Sequence, residues 1–166
     1  MNGKLEQAGT RWRLRFTRQL AHSPQRVWSA ITEPVHLAAW FPDEIVVERW
    51  EVGAPLRFVH PSIEFDGEVL AVQPPSLLEF RWGSDTIRLQ IEPVGGGCTL
   101  TLIDTIDELG KAARDGAGWH VCLDALELDL DRKPKPWEDS AHWREVHLGY
   151  VEAFGAAAAA IGPPEL

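Results

Sequence analysis

Residues 55–106 read PLRFVHPSIEFDGEVLAVQPPSLLEFRWGSDTIRLQIEPVGGGCTLTLIDTI, and this stretch decides the fold. Runs rich in β-branched and aromatic residues alternate with Gly, Pro and Ser clusters, the pattern of strands separated by turns. Strands are expected at Pro55–His60, Ile63–Gln73, Leu77–Trp82, Thr86–Pro93 and Cys98–Ile106, with another before them at Ile45–Glu51. The connections are Val52-Gly53-Ala54, Pro61-Ser62, Pro74-Pro75-Ser76, Gly83-Ser84-Asp85 and Val94-Gly95-Gly96-Gly97. Connections this short join hairpins, so the six strands form an antiparallel meander. Gly95–Gly97 lies between two strands and lacks the Lys-Ser/Thr of a phosphate loop, so it too reads as a hairpin.

Upstream, Trp12, Leu14, Phe16 and Leu20 alternate with Arg11, Arg13, Arg15, Thr17 and Gln19, a half-buried strand. Ser23-Pro24 then supplies an N-cap and a proline at the first helical position. Val27, Ile31 and Trp28 form the buried face of a short helix. Pro34 opens a second one through Trp40, and Pro42 ends it. Downstream, Trp119, Cys122/Leu123, Leu126 and Leu130 recur at helical spacing after Gly116-Ala117-Gly118, with Asp124, Glu127 and Asp131 opposite as a solvated face. Pro134 and Pro136 end that helix, and another starts near Ser140 with Trp143, Val146, Tyr150, Val151 and Phe154 on one side. A sheet with one apolar face must be covered, and the long helix is its natural cover. The expected class is α+β, one domain over 11–160. Residues 1–10 read as a flexible lead and 161–166 as a flexible tail.

The chain has 166 residues, 45% apolar and 25% charged, which excludes a disordered chain and a small disulfide-stapled domain. The net charge is −9, and residues 101–166 hold six Lys/Arg against thirteen Asp/Glu. Such a surface repels a phosphate backbone, so no nucleic acid is expected as a partner. It could dock a basic protein. The N-terminus has no apolar signal core and no run approaches the ~20 apolar residues of a membrane span, so the cytoplasm is the expected compartment. Cys98 and Cys122 read as reduced packing residues.

The segment Phe16…Leu20-Ala21-His22-Ser23-Pro24-Gln25-Arg26-Val27-Trp28-Ser29-Ala30-Ile31-Thr32-Glu33-Pro34 resembles the opening of a known family. Trp40-Phe41, the Gly53 turn, Gly67-Glu68-Val69, Pro74-Pro75, Leu78-Glu79-Phe80-Arg81-Trp82 and Gly118-Trp119…Leu123…Leu126 are similar to its later landmarks. Ala54 departs from the family's second turn glycine. The family is the activator of ninety-kilodalton heat-shock-protein ATPase homologue-like family, within the START-like (SRPBCC, Bet v-like) helix-grip superfamily. The resemblance covers about Arg11 to Leu130, and the stretch 132–160 extends beyond the usual family end. It implies a seven-stranded antiparallel sheet wrapped round a long C-terminal helix, with a cavity between them. It implies no single activity, because the superfamily includes lipid carriers, hormone-binding proteins, polyketide cyclases and chaperone regulators.

No cofactor motif is present, and none is expected. His142 and His147 stand five apart, off the i, i+4 spacing of helical zinc ligands, and read as exposed. No Gly-x-Ser-x-Gly is present, and Cys122 lies on an apolar stripe. Three polar residues interrupt inward stripes: Arg18, His60 and Asp104. Alternate strands of a meander run the same way, so His60 and Asp104 are expected toward one end of the cavity and Arg18 toward the other. Arg88 and Glu68 share the outward parity and are expected to pair there. Trp28, Trp40, Phe58, Phe65, Phe80, Trp82 and Trp119, joined by His60 and Asp104, are the expected cavity-lining residues. Apolar concavities with a few polar groups are how small-molecule sites are built. Three functions compete: binding of a hydrophobic small molecule, regulation of a chaperone, and a cyclase-like reaction using His60 and Asp104 as an acid–base pair. A monomer or homodimer is expected.

Overall fold

The computed structural model describes residues 2–163. An eight-stranded sheet in the order β1-β2-β8-β7-β6-β5-β4-β3 is antiparallel throughout. The strands are β1 (Lys4–Ala8), β2 (Arg11–Leu20), β3 (Glu44–Val46), β4 (Pro55–His60), β5 (Ile63–Gln73), β6 (Leu77–Trp82), β7 (Asp85–Val94) and β8 (Gly97–Ile106). Two short helices, α1 (Pro24–Thr32) and α2 (Pro34–Trp40), follow β2, and α3 (Ala112–Leu130) and α4 (Asp139–Phe154) follow β8.

The meander stands as read, and β4, β5 and β6 have the expected limits. The expected Ile45–Glu51 strand is shortened to Glu44–Val46; beyond it, Trp50 Nε1 donates to the Thr32 carbonyl of α1 at 3.0 Å. α1 begins as its sequence dictates. The Ser23 hydroxyl accepts the Arg26 N–H at 3.2 Å, and Pro24 occupies the first turn, where no backbone donor is needed.

Residues 4–8 are a strand, not a flexible lead. They pair with Arg11–Arg15 across a tight turn in which Gly9 has φ +64°. A left-handed backbone there is what a hairpin of this length requires. The strand is the eighth where seven were expected. The Gly3 N–H also donates to the Tyr150 hydroxyl of α4 at 2.7 Å. At the other end the Ile161 N–H donates to the Gly110 carbonyl at 2.9 Å, so the expected flexible tail begins tethered; residues 164–166 lie outside the described residues.

One sheet face is the core. Leu14 and Phe16, Leu100 and Leu102, Ile87 and Leu89, Leu78 and Phe80, and Leu56 and Phe58 are all buried on alternating positions. α3 covers them with Ala113, Ala117, Trp119, Leu123, Leu126 and Leu130. It begins two turns before the expected start at Trp119, because Gly116 and Gly118 do not break it. A Cβ at Gly116 would make ordinary contact with Phe154, Tyr150 and Leu14, so this glycine faces the packing of α3 against α4 and β2. On the outer sheet face Arg88 pairs with Glu79, directly opposite it, at 2.9 Å and not with Glu68.

Candidate functional site

The Trp40-Phe41-Pro42 exit from α2 drops an aromatic ring into the middle of the molecule. Phe41 lies 5.5 Å from Trp40, 6.1 Å from Phe58, 6.0 Å from Phe80, 6.1 Å from Trp82 and 5.6 Å from Trp119, centroid to centroid. Phe65 stacks on Phe58 at 5.2 Å, and Trp82 meets Trp119 edge-on at 5.3 Å. These offset and edge-to-face arrangements are the favourable ones for aromatic pairs. The rings thus pack against one another between sheet and α3, where a ligand cavity was expected. Phe58 and Phe80 are buried core, and Trp28 is half-buried against it.

The open space lies one layer out, between α2, α3 and α4. It is a cleft of about 960 Å³. One wall is Trp40, Phe41 and Pro42 with Trp82 of β6 and Trp119 of α3. The floor is Gly118, Cys122 and Ala125, at i, i+4 and i+7 on α3. The facing wall is Trp143, His147 and Leu148 of α4. A Cβ on Gly118 would meet nothing within 4 Å, so this glycine opens directly into the cleft. Trp143 lies flat against His147, centroids 4.6 Å apart and planes 15° apart. Burial holds the His147 imidazole below its ordinary pKa and pushes the Cys122 thiol up to about 12, so both are neutral at pH 7. Neutral Cys122 is no nucleophile.

Of the nine expected site residues, Trp40, Trp82 and Trp119 line this cleft. His60 does not. It is exposed at the β4–β5 turn, its Nδ1 3.2 Å from the Ser62 hydroxyl, in a separate open hollow of about 570 Å³. Asp104 is on β8, four strand spacings from β4 in the sheet, or about 19 Å at the usual 4.8 Å per strand. The acid–base pair is therefore not formed. Phe41, Gly118 and Trp143 were absent from the expected set. Phe41 adjoins Trp40 in the motif that carried the resemblance, and Trp143 heads the apolar face expected for the last helix.

Asp104 has another role. It is fully buried and its Oδ2 accepts the Trp119 indole N–H at 2.8 Å, which fixes the ring between core and cleft. Its Oδ1 has no hydrogen-bond donor among the described residues. Carboxylate oxygens of Asp85, Asp104 and Asp115 approach within 4.8 Å of one another. Burial first, and the Asp85 charge second, hold the Asp104 carboxyl well above the usual carboxylate range. A proton on it facing Asp85 accounts for the bare Oδ1. Lys111 supplies the positive charge, donating to Asp85 at 2.9 Å and Asp107 at 2.8 Å. Burial alone would depress this lysine, but the two carboxylates outweigh it and hold it at about 12.

Arg18 is also buried, and α3 answers it. Its Nη1 donates to Asp124 at 2.7 Å and to Glu127 at 3.2 Å. Those carboxylates are not the solvated face that helical period suggested. Asp124 also holds His142 of α4 at 2.8 Å, and His120 Nδ1 lies 2.8 Å from the Tyr150 hydroxyl. His142 and His147 are thus half-buried, not exposed. Burial pushes Asp124 up, but His142 and Arg18 outweigh it and its carboxyl lies below the ordinary value. This network clamps α4 over α3 and so fixes the far wall of the cleft.

The sheet wrapped round α3, with α1 and α2 inserted after the first long strand, is a START-like helix-grip fold. It is shared with a conserved protein of unknown function from Enterococcus faecalis (TM-score 0.77, 19% identity, covering 91% of this chain and 89% of that one). It is shared equally with CalU16 from Micromonospora echinospora (TM-score 0.72, 22% identity, covering 92% and 94%). DynU16, from the dynemicin biosynthetic locus, is 26% identical with a TM-score of 0.65, covering 74% of this chain and 48% of that one. The family model described as "Activator of Hsp90 ATPase homolog 1-like protein" matches residues 21–130, and the chain belongs to that family. No curated protein matches it. No helix among the described residues is long and apolar enough to cross a membrane.

Proposed function

We propose that the chain binds an apolar small molecule in the cleft between α2, α3 and α4. The observation that carries this reading is the cleft itself: about 960 Å³, walled by four tryptophans and a phenylalanine over a floor of small residues. That volume is at the upper end of small-molecule sites, which are mostly apolar with few polar groups. A chaperone-docking reading drew on the acidic C-terminal third. Much of that charge is engaged within the chain: Asp124 and Glu127 with Arg18, Asp129 with His36, Asp131 with His22, and Asp139 with Lys135. The cleft is therefore the better supported site.

The neutral apolar dye N-phenyl-1-naphthylamine tests it. Trp40, Trp82, Trp119 and Trp143 are half of the eight tryptophans, so saturable binding quenches a large share of the intrinsic emission. A Cβ at Gly118 meets open space and leucine is the better helix former, so Gly118→Leu places a side chain on the cleft floor, leaves folding intact and abolishes binding. Equal dye affinity in the wild type and this variant would place the dye elsewhere and overturn the reading.

A further inference from the structure

The charges on the cleft are unlike those of the chain around it. Five ionised side chains line it: Arg114, Asp115, Lys135, Asp139 and Arg144. Three are cationic in a protein of net charge −9. Both carboxylates are already engaged. Asp115 accepts the Arg114 Nε at 2.8 Å, and Asp139 accepts the Lys135 ammonium at 2.8 and 3.0 Å. Arg114 uses only its Nε in that pair, which leaves its two Nη groups without an acceptor among the described residues. Arg144 has neither ion pair nor hydrogen bond among the described residues, and it stands on α4 one position from Trp143. Among the described residues the lining therefore carries one uncompensated positive charge beside a wall of indole rings.

The geometry of the apolar part narrows the shape. Gly118, Cys122 and Ala125 project little from α3, so a molecule can lie close along the helix. One wall is planar, the Trp143–His147 stack; the other is aromatic, with the Phe41, Trp82 and Trp119 rings tilted 56–77° to one another. Flat rings make most contact with flat rings. A guanidinium presents a planar fork of donors that suits a carboxylate or sulfonate, and it also stacks on rings. We infer that the cleft selects a ring-containing organic anion: a flat apolar body against the tryptophans, and one acidic group on the guanidinium of Arg144, with the free edge of Arg114 as the second donor. This rests on the reading that the cleft is the ligand site.

Two dyes of the same ring system separate the inference from that reading. 1-Anilinonaphthalene-8-sulfonate carries one anionic group, and N-phenyl-1-naphthylamine is its neutral counterpart. The anionic dye is expected to bind about tenfold tighter to the wild type, as one partly solvated charge-assisted contact gives. The preference shrinks in 1 M salt, because Arg144 is exposed. Arg144→Gln removes most of the preference and leaves the neutral dye unchanged, and Arg114→Gln removes the remainder. If the two dyes bind alike, or the preference survives both substitutions, the inference is wrong and the apolar site stands. If neither dye binds the wild type, or Gly118→Leu leaves both bound, the site itself is wrong and the inference falls with it.

Discussion

Replacing Arg18 by Met tests whether the buried guanidinium holds the helices on the sheet. The Arg18 side chain is 6% exposed, Asp124 21% and Glu127 37%. Met fills most of the same volume, so the packing loss is small and the effect reports on charge. Stranding a buried partner costs about 3–5 kcal/mol, and Asp124 keeps His142 and some water, so the expected loss is about 2–3 kcal/mol. A chain of 166 residues has an unfolding entropy of about 0.35 kcal/mol/K, which turns that loss into a fall in Tm of about 6–9 °C. Calorimetry at pH 7 measures it, and a double-mutant cycle with Asp124→Asn isolates the pair. The pH dependence has a definite sign. The Asp124 carboxyl is held below its ordinary value near 3.8, so its contribution is present above that value and lost as pH falls through the lower, folded one. The gap between wild type and variant therefore narrows below about pH 4. A Tm within 2 °C of wild type at pH 7, or a coupling below about 0.5 kcal/mol in the cycle, would refute the clamp.

Two further outcomes follow from the core. Asp104 is held above its unfolded value near 3.8, so its contribution is present below that value and declines as pH rises toward the folded one. Asp104→Asn mimics the protonated acid, and its Tm relative to wild type rises between pH 5 and pH 8; parallel melting profiles would show that Asp104 is ionised. Phe41→Ala removes the ring that touches five others and should cost about 3–5 kcal/mol, a fall of about 9–14 °C by calorimetry. A loss under about 1.5 kcal/mol would mean that the neighbouring rings close over the gap.

The strands of 55–106 were legible because each is bounded by its own turn residues, a local signal that long-range packing need not supply. β1 was not, since Lys4–Ala8 has little strand character alone and is a strand because β2 offers it a ladder. α3 began earlier than its pattern suggested because Gly116 and Gly118, which look like breakers, lie within it, Gly116 facing α4 and β2 and Gly118 opening into the cleft. Parity put Arg18 and Asp104 inside, and both are buried. Parity could not say what they meet. The partners of Arg18 lie more than a hundred residues away on α3, and His60 and Asp104 were separated by strand order, a distance that edge and direction do not encode. The cleft was hidden for the same reason. Its far wall depends on α4, which is placed by contacts from Asp124, His120 and Gly3.

The match to the family ends at residue 130, and every α4 residue on the cleft lies beyond it. The matched stretch, which holds most of the sheet and the gripped helix, and the helix that supplies one wall of the cleft are therefore separate in the chain. They can diverge at different rates. A lineage could keep the sheet, the gripped helix and the aromatic hub intact while trading its last helix for another, and so inherit an architecture without inheriting a ligand.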